Sequence, residues 1–221
     1  MEIKPIAYIK TDFNEKFGIP RQSGRVKELT GRVEFIDEFK NPEAIKGIQE
    51  YSHLWLIFGF SKAEYKEKTM TVRPPRLGGN KRVGVFASRS PYRPNSLGLS
   101  CVKLEMVENG SLIVSGVDLL NDTPIYDIKP YIPYSDCILD ALGSFAESNK
   151  NHALEVNFAP RFLNLLPKDK QSAAINCLRD DPRPSYQQDD RVYSMLFAGF
   201  DIHFAVSDNL LTVIKVDKKS P

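Results

Sequence analysis

The chain has 221 residues, of which 42% are hydrophobic, and its 30 basic and 28 acidic side chains leave a formal net charge of +2. This length and hydrophobic content predict an ordinary buried core, in one large domain or in one domain with a smaller one attached. No apolar run is long enough to span a bilayer, and the N-terminus MEIKPIAYIK lacks the apolar core of a signal peptide, so we expect a protein without a membrane partner.

Cysteine and histidine usage argues against a metal site and favours a reducing compartment. The three cysteines are odd in number and lie far apart, at Cys101, Cys137 and Cys177. The three histidines stand alone, and no Cys-x-x-Cys or Cys/His pair has metal-ligand spacing. We therefore predict a cytoplasmic protein that binds no metal.

The first half of the chain alternates short β-rich segments with turn formers. Residues 3–9 and 32–36 are predicted strands, and Asn41-Pro42 predicts the start of a short helix over 41–50. Residues 51–60, YSHLWLIFGF, form an apolar run of strand length, which predicts a strand buried on both faces. The connection at 17–25, FGIPRQSGR, is either a surface connection or a binding loop.

Further strands are predicted at 83–87, 97–107 and 111–119, with Asn109-Gly110 as the hairpin turn between the last two. A polar turn follows, and then the short strand IYDI at 125–128. The order is strand-rich without regular β-α alternation, and it lacks both Gly-x-Gly-x-x-Gly and a Walker motif. This argues against a doubly wound sheet and favours a barrel or a sandwich.

From about residue 141 the pattern changes. Residues 160–167 and 169–180 are predicted helices, and three strands are predicted at 192–200, 201–208 and 210–216. The fold class predicted for the whole chain is mainly β. We expect a small β-barrel N-terminal domain at 1–140 and a small α+β C-terminal domain at 141–221.

One stretch, residues 71–100, dominates the charge distribution. Between Glu67 and Glu105 there is no acidic residue, and eight basic ones lie there, so this interval carries +8 and the rest of the chain must sum to −6. Prolines and glycines are interleaved with the arginines and restrict the shape of the loop. This pattern favours a shaped anion-binding site over a merely solvated basic loop.

Two carboxylates lie on either side of the polar turn, at Asp118 and Asp127. They are candidates for hydrogen-bonding a cation or an amine. They are equally candidates for capping turns, because Asp and Asn favour turns by bonding to local backbone. The local sequence does not decide between these two roles.

VRPPRLGGNKRVGVFASRSPYRPNSLGLS, at residues 72–100, closely resembles a motif of the TsaA-like (TrmO-type) tRNA methyltransferases. KFGIPRQSG, YSHLWLIFGF, DLLNDTPIYDIKPYIPY and the C-terminal DPRPSY support the same resemblance, which covers nearly the whole chain. The resemblance implies a small β-barrel and S-adenosyl-L-methionine as cofactor. It also implies methylation of the N6 nitrogen of N6-threonylcarbamoyladenosine beside the anticodon of a tRNA, and a homodimer with each cofactor site near the subunit interface.

The resemblance also assigns residues. The implied cofactor-binding set is Pro20, Arg21, Gln22, Phe60, Ser61, Arg89, Leu99, Leu119, Leu120, Asn121, Asp122 and Thr123. The implied catalytic or substrate-orienting set is Arg89, Arg93, Asn95 and Asp127. The residues expected to hold tRNA phosphates are Arg73, Arg76, Lys81, Arg82 and Arg183.

Two positions depart from the family pattern. Asn121-Asp122 stands where many members read Asp-Gly, and Ser96 replaces a common proline. No residue is identified as a general base. The alternative function is a noncatalytic RNA-binding module with a basic loop, which predicts salt-sensitive tRNA binding without a ligand in the β body.

Overall fold

A computed structural model of the chain describes residues 2–62, 70–74, 81–148, 152–183 and 191–219. Six strands of the N-terminal half close into a barrel in the order β1-β2-β7-β6-β3-β8, and all neighbours are antiparallel. Their bounds are β1 Ala7–Thr11, β2 Thr30–Phe35, β3 His53–Gly59, β6 Leu97–Glu108, β7 Ser111–Ser115 and β8 Thr123–Pro130. Two short strands, β4 Thr71–Val72 and β5 Val83–Gly84, pair with each other outside the barrel. The predicted barrel is therefore confirmed.

Several local predictions differ from the structure. The helix expected over 41–50 is two 3₁₀ turns, Pro42–Ile45 and Ile48–Glu50, because Gly47 between them has a φ of +81°. Asn41 nevertheless caps the first turn, accepting a hydrogen bond from the Glu43 amide at 3.0 Å. The strand expected at 83–87 pairs only over β5 and continues as a 3₁₀ turn, and the first strand begins four residues later than predicted, at Ala7.

The prediction that 51–60 is buried on both faces was wrong. In β3 the side chains alternate: Leu54, Leu56 and Phe58 are buried in the barrel core, whereas Trp55 and Ile57 are only partly buried. The second face is apolar because it forms part of a cleft, and it is not covered by a second layer of structure. A continuous apolar run cannot distinguish these two causes.

The antiparallel order sends the long connections to one end of the barrel. β3 ends where β6 and β8 begin, since Gly59 pairs with Leu97 and Phe58 with Ile125. β1 ends at that same end, where Ile9 pairs with Thr123. The connections 12–29, 60–96 and 116–122 therefore leave the barrel together, and the site lies among them.

The C-terminal unit is a four-stranded sheet with one long helix. Its strand order is β10-β11-β12-β9, in which β9 is parallel to β12 and the other pairs are antiparallel. The helix α4 buries Ala173, Ala174, Cys177 and Leu178, which lie on one of its faces. The remaining bounds are α1 Pro133–Asp136, α2 Phe145–Ser148, β9 Glu155–Asn157, α3 Pro160–Leu163, α4 Lys168–Arg179, β10 Tyr193–Phe197, β11 Phe200–Ser207 and β12 Leu210–Lys218.

The C-terminal unit packs against the first connection of the barrel, residues 12–29. The Phe13 and Phe197 rings lie 5.2 Å apart, and Phe17 stacks on Tyr193 at 6.2 Å. Lys170 Nζ contacts Asp12 Oδ2 at 2.7 Å, which adds an ion pair at the edge of this contact. The connection that carries the predicted cofactor residues is therefore held from behind by the second unit. In the described parts of the chain, no helix is long and apolar enough to cross a membrane.

Candidate active site

A cleft of about 840 Å³ lies at the end of the barrel from which the three long connections leave. Its floor is the outward face of two neighbouring strands, where Ile57 of β3 pairs with Leu99 of β6. One wall comes from residues 19–22 together with 118–120 and Thr123, and the other comes from residues between 86 and 95. Binding clefts for small ligands have volumes of roughly 300–1,000 Å³, so this one has room for a cofactor and part of a second molecule.

The cleft is strongly cationic. Five basic side chains line it, and they are Lys16, Arg21, Lys62, Arg89 and Arg93. Among the described residues that line it, Asp118 is the single carboxylate, and no His, Cys or Tyr is present. Such a field favours an anionic ligand or substrate.

Hydrogen bonds fix the two walls relative to each other. Arg89 Nη1 donates to the side-chain oxygen of Gln22 across the cleft. Arg93 Nη1 instead donates to the carbonyl oxygens of Ser88 and Ser90, at 3.1 and 3.3 Å, and so holds its own loop in shape. Arg89 thus joins the first connection to the basic loop, whereas Arg93 organises the loop itself.

Asp118 lies where three elements meet. Its Oδ1 accepts a hydrogen bond from Ser100 Oγ of β6 at 2.6 Å, and the backbone N–H groups of Ser23 and of Asp118 itself also donate to the carboxyl group. Burial raises the pKa of Asp118 from 3.8 to about 6, because the charged form loses solvation, and these hydrogen bonds and nearby Arg89 only partly offset that effect. The carboxyl group therefore titrates just below neutral pH.

Most of the residues expected from the sequence come together here. Twelve of them line the cleft: Pro20, Arg21, Gln22, Phe60, Ser61, Arg89, Arg93, Asn95, Leu99, Leu119, Leu120 and Thr123. They come from three connections and two strands that are far apart in the chain. The closed barrel brings them together at one end.

Three other expected residues do not line the cleft. Asn121 accepts a hydrogen bond from the Thr11 amide at 3.1 Å, and Asp122 forms an ion pair with Lys10 on the outside of the turn. Asp127 forms an ion pair with Lys129 at 2.7 Å along β8. Their assignment to cofactor or catalysis stays a prediction.

Both departures from the family pattern fall at unusual backbone conformations. Asp122 has a φ of +60° in the left-handed region, which a glycine at this position would adopt freely and which Asp tolerates. Ser96 has a φ of +46°, which proline cannot adopt because its ring fixes φ near −65°. The backbone at Ser96 therefore differs from that of a loop with proline there.

The residues expected to contact phosphate are divided. Arg73 and Lys81 are exposed, and Arg82 is exposed but donates to the Thr71 side chain at 2.7 Å. Arg76 lies outside the described residues. Arg183 is largely buried, because its guanidinium pairs with Asp181 at 2.9 Å, and its carbonyl oxygen accepts a hydrogen bond from Arg21 at 2.7 Å.

Sequence reasoning did not assign several lining residues to the site. Trp55, Ile57 and Phe86 supply apolar walls, and Ser100 and Lys16 supply polar groups. The apolar run of β3 carried a signal for Trp55 and Ile57, but it was assigned to burial. Asp118 was singled out but could not be separated from a turn cap, because its partner Ser100 lies 18 residues earlier.

The described residues contain no group of three or more His, Cys, Asp or Glu side chains that could hold a metal ion. The lining suits S-adenosyl-L-methionine, which carries a carboxylate, an aromatic base and a positively charged sulfur. Arg21 and Arg89 offer donors for a carboxylate, and Phe60 offers a face for a base. The residues present therefore fit this cofactor.

Comparison with known proteins agrees with this fold and this cleft. Residues 8–137 match the family model described as tRNA-methyltransferase O N-terminal domain, and residues 151–219 match the TrmO C-terminal domain. The Escherichia coli protein named tRNA (adenine(37)-N6)-methyltransferase is 35% identical over 220 residues, which cover 94% of each chain. A Pseudomonas aeruginosa protein named "Putative S-adenosylmethionine-dependent methyltransferase RcsF" is 39% identical over 211 residues, covering 91% of each.

A solved structure gives the same result. The crystal structure of TrmO from Pseudomonas aeruginosa superposes with a TM-score of 0.82 at 33% sequence identity, and the match covers 99% of this chain and 97% of that one. The match therefore extends over the barrel and the C-terminal unit together. This chain belongs to the TrmO family of S-adenosylmethionine-dependent tRNA methyltransferases.

Proposed function

We propose that this protein transfers the methyl group of S-adenosyl-L-methionine to the N6 nitrogen of N6-threonylcarbamoyladenosine, next to the anticodon of a tRNA. The observation that carries the proposal is the cleft itself. It combines apolar walls, five cationic side chains and one carboxylate at the end of a barrel of the TrmO family. This lining suits a nucleoside cofactor beside a phosphate-rich substrate.

The wall formed by residues 19–22, 118–120 and Thr123 is the proposed cofactor wall. Arg21, Gln22 and Arg89 would hold the polar groups of the cofactor, while exposed Leu99 provides apolar contact. The bound cofactor supplies a methyl group that is already activated by the adjacent positive charge. The protein then has to hold the target nitrogen in line with that group, and such positioning alone is worth several orders of magnitude in rate.

The opposite wall is the proposed tRNA side. Arg73 and Lys81 are exposed for phosphate contacts, and the aromatic rings of Phe86 and Tyr92 are exposed near the cleft. Anticodon-loop bases are single-stranded, so they can leave the stack and rest on an aromatic ring. Asn95, which lines the cleft as Arg93 does, would hydrogen-bond such a base.

A homodimer in the cytoplasm is part of this proposal. The segment after β8 exposes Tyr134, Ile138, Leu139 and Leu142, of which Leu139 and Leu142 are 95% and 98% exposed. Apolar side chains exposed this fully and this close together suit an interface between two copies. The three cysteines are free, as expected in a reducing compartment.

The test is methyl transfer from labelled S-adenosyl-L-methionine to total tRNA from cells that lack this protein, followed by nucleoside analysis. We expect label on the N6 nitrogen of threonylcarbamoyladenosine. Arg89→Ala should abolish it, because this side chain joins the cofactor wall to the basic loop. Label on a different nucleoside would show that the substrate is not threonylcarbamoyladenosine. Salt-sensitive tRNA binding with neither cofactor binding nor methyl transfer would favour a noncatalytic module.

A further inference from the structure

The proposed substrate makes a demand on the cleft that the cofactor does not meet. An N6 nitrogen bonded to both a purine ring and a carbonyl group shares its lone pair with two acceptors, so it is a weak nucleophile while it keeps its proton. The proton must also be lost for the methylated product to be neutral. A group that accepts this proton during transfer would lower the barrier.

The cleft offers one such group. Among the described residues that line it, Asp118 is the only carboxylate, and the side chains of the other titratable groups, Lys16, Arg21, Lys62, Arg89 and Arg93, are all cations. A cation cannot take a proton, whereas an ionised carboxylate can.

The surroundings of Asp118 hold it in place without using all of its acceptor capacity. Ser100 Oγ of β6 donates to Oδ1, and two backbone N–H groups, one from Ser23, also donate. An ionised carboxyl group has about four acceptor positions. At least one position therefore remains for a proton that arrives from the cleft.

Ser23 itself is fixed. Its hydroxyl oxygen accepts a hydrogen bond from the Cys101 amide of β6 at 3.2 Å, so the first connection is tied to the strand that carries Ser100. Arg89 of the basic loop, which is itself hydrogen-bonded to Gln22, is close enough to Asp118 to stabilise its ionised form. Asp118, in the connection 116–122, is thus held in one wall of the cleft by hydrogen bonds from β6 and from the first connection, and the cation of the other wall acts on it from across the cleft.

We propose that Asp118 is the general base of the reaction, a role that rests on the proposed function. As the nitrogen lone pair forms the bond to the methyl carbon, the electron pair of the breaking carbon–sulfur bond stays on sulfur and removes its positive charge. The N–H proton passes to the Asp118 carboxylate and later leaves to water. No further reactant is needed.

The test is single-turnover methyl transfer to tRNA containing threonylcarbamoyladenosine, measured from pH 5 to 8.5 for the wild type and for Asp118→Asn. The wild-type rate should rise with pH through about 6 and then level off, because burial places the pKa of Asp118 there. Asp118→Asn keeps the shape and can still accept from Ser100. It should lose about 10²–10⁴-fold in rate and lose the inflection near pH 6.

Two readouts do not depend on activity. The dissociation constant of the cofactor, measured by calorimetry, should change by less than about threefold in Asp118→Asn, since the lost interaction exists only during transfer. The pH dependence of stability should also change. Because the pKa of Asp118 is raised from 3.8 to about 6 in the folded protein, the buried group favours folding only while it is protonated. The stability it gives is fully present below pH 3.8 and is lost as the pH rises through about 6. The variant should therefore gain stability relative to the wild type between pH 4 and 7.

The matched control is Asp37→Asn, which alters an exposed carboxylate at the opposite end of the barrel and should keep the wild-type rate and pH profile. The role of Asp118 is overturned if Asp118→Asn keeps the wild-type profile. It is also overturned if the rate falls only as much as cofactor affinity while the inflection near pH 6 remains. A wild-type protein that binds the cofactor but transfers no methyl group to this tRNA rejects the proposed function, and this role with it.

Discussion

The two walls of the cleft are held by different means. The cofactor wall is fixed from behind: Phe13 and Leu119 are fully buried, and the C-terminal unit packs on residues 12–25. In the described residues of the basic segment that carries the opposite wall, 70–74 and 81–96, Val85 is the only buried hydrophobic side chain. The β4–β5 ribbon of this segment is short, with only two residues in each strand.

The opposite wall is instead shaped by local hydrogen bonds. Ser88 Oγ donates to the Val85 carbonyl at 2.9 Å, and Arg93 binds two carbonyl oxygens of the same loop. Phe86 remains 72% exposed. A small cofactor needs a site that is already formed, whereas a large RNA supplies its own contacts and needs exposed cations and rings. The difference between the walls matches these two needs.

The largest expected effect comes from breaking the support of the cofactor wall at Gly18. A Cβ on residue 18 would lie 2.4 Å from Met195 Cγ in the C-terminal unit. The φ of Gly18 is +96°, which is unfavourable for any residue with a side chain. Gly18→Ala should cost about 1–2 kcal/mol for the backbone conformation and about 1–3 kcal/mol more for overpacking. Urea unfolding measures the loss.

The control is Gly24→Ala in the same connection, where φ is +76° but nothing lies within 4 Å of an added Cβ. It should show only the backbone cost. Equal losses in the two variants would mean that Met195 moves aside and that the contact between the units is soft.

A second way to weaken the cofactor wall is to remove Arg25. Its guanidinium pairs with Asp180, which is 9% exposed and lies at the C-terminal end of α4, where a carboxylate is already disfavoured by the helix dipole. Because Arg25 is partly exposed, Arg25→Met should cost about 2–3 kcal/mol, less than a fully buried pair would. The free energy of unfolding measures this cost.

A double-mutant cycle separates the pair from general disruption. Arg25→Met combined with Asp180→Asn should lose less stability than the sum of the losses of the two single variants, because each single variant already removes the interaction between the two side chains. Strictly additive losses would contradict a coupled pair. Cofactor affinity should weaken in Arg25→Met, because Gln22 lies three residues before it on the same connection.

On the opposite wall, Phe86→Ala should leave stability almost unchanged, because the ring is exposed. If Phe86 stacks on a substrate base, the KM for tRNA should rise about tenfold, within the roughly 1–3 kcal/mol that one stacked base contributes. Steady-state methylation kinetics measure it. The control is Tyr51→Ala, which removes an exposed ring at the other end of the barrel. If Phe86→Ala also lost affinity for the cofactor, the Phe86 ring would contact the cofactor and not a tRNA base.

The smallest expected effect is that of a single phosphate contact. Lys81→Ala should lower the slope of log affinity for tRNA against log salt by about 0.7–0.9 and leave cofactor binding unchanged. Equilibrium binding at several salt concentrations measures the slope. The control is Lys46→Ala, which removes an exposed lysine far from the cleft and should leave the slope unchanged. An equal change of slope in both variants would mean that tRNA is attracted by the overall positive charge and makes no particular contact with the basic loop.

The sequence predicted much of the fold because its signals there are local. Asn109-Gly110 makes the expected hairpin, and Asn109 has a φ of +51° and Gly110 one of +74°. The helix α4 lies within one residue of its expected bounds. The helix expected at 41–50 fails at Gly47, whose left-handed conformation interrupts the chain despite a correct cap at Asn41.

By itself the sequence determined the class of this protein: a β-rich body with a basic, proline-shaped loop and the motifs of one methyltransferase family. Those features depend on periodicity, on turn residues and on charge counted along the chain. Only the tertiary structure decided which residues share a cleft, because barrel closure brings together residues of different connections, such as Gln22 and Arg89. The tertiary structure also distinguished two similar carboxylates: Asp118 lines the cleft beside Ser100, whereas Asp127 pairs with Lys129 outside it. The local sequence could not do so, because the partners of a side chain in a barrel come from distant strands.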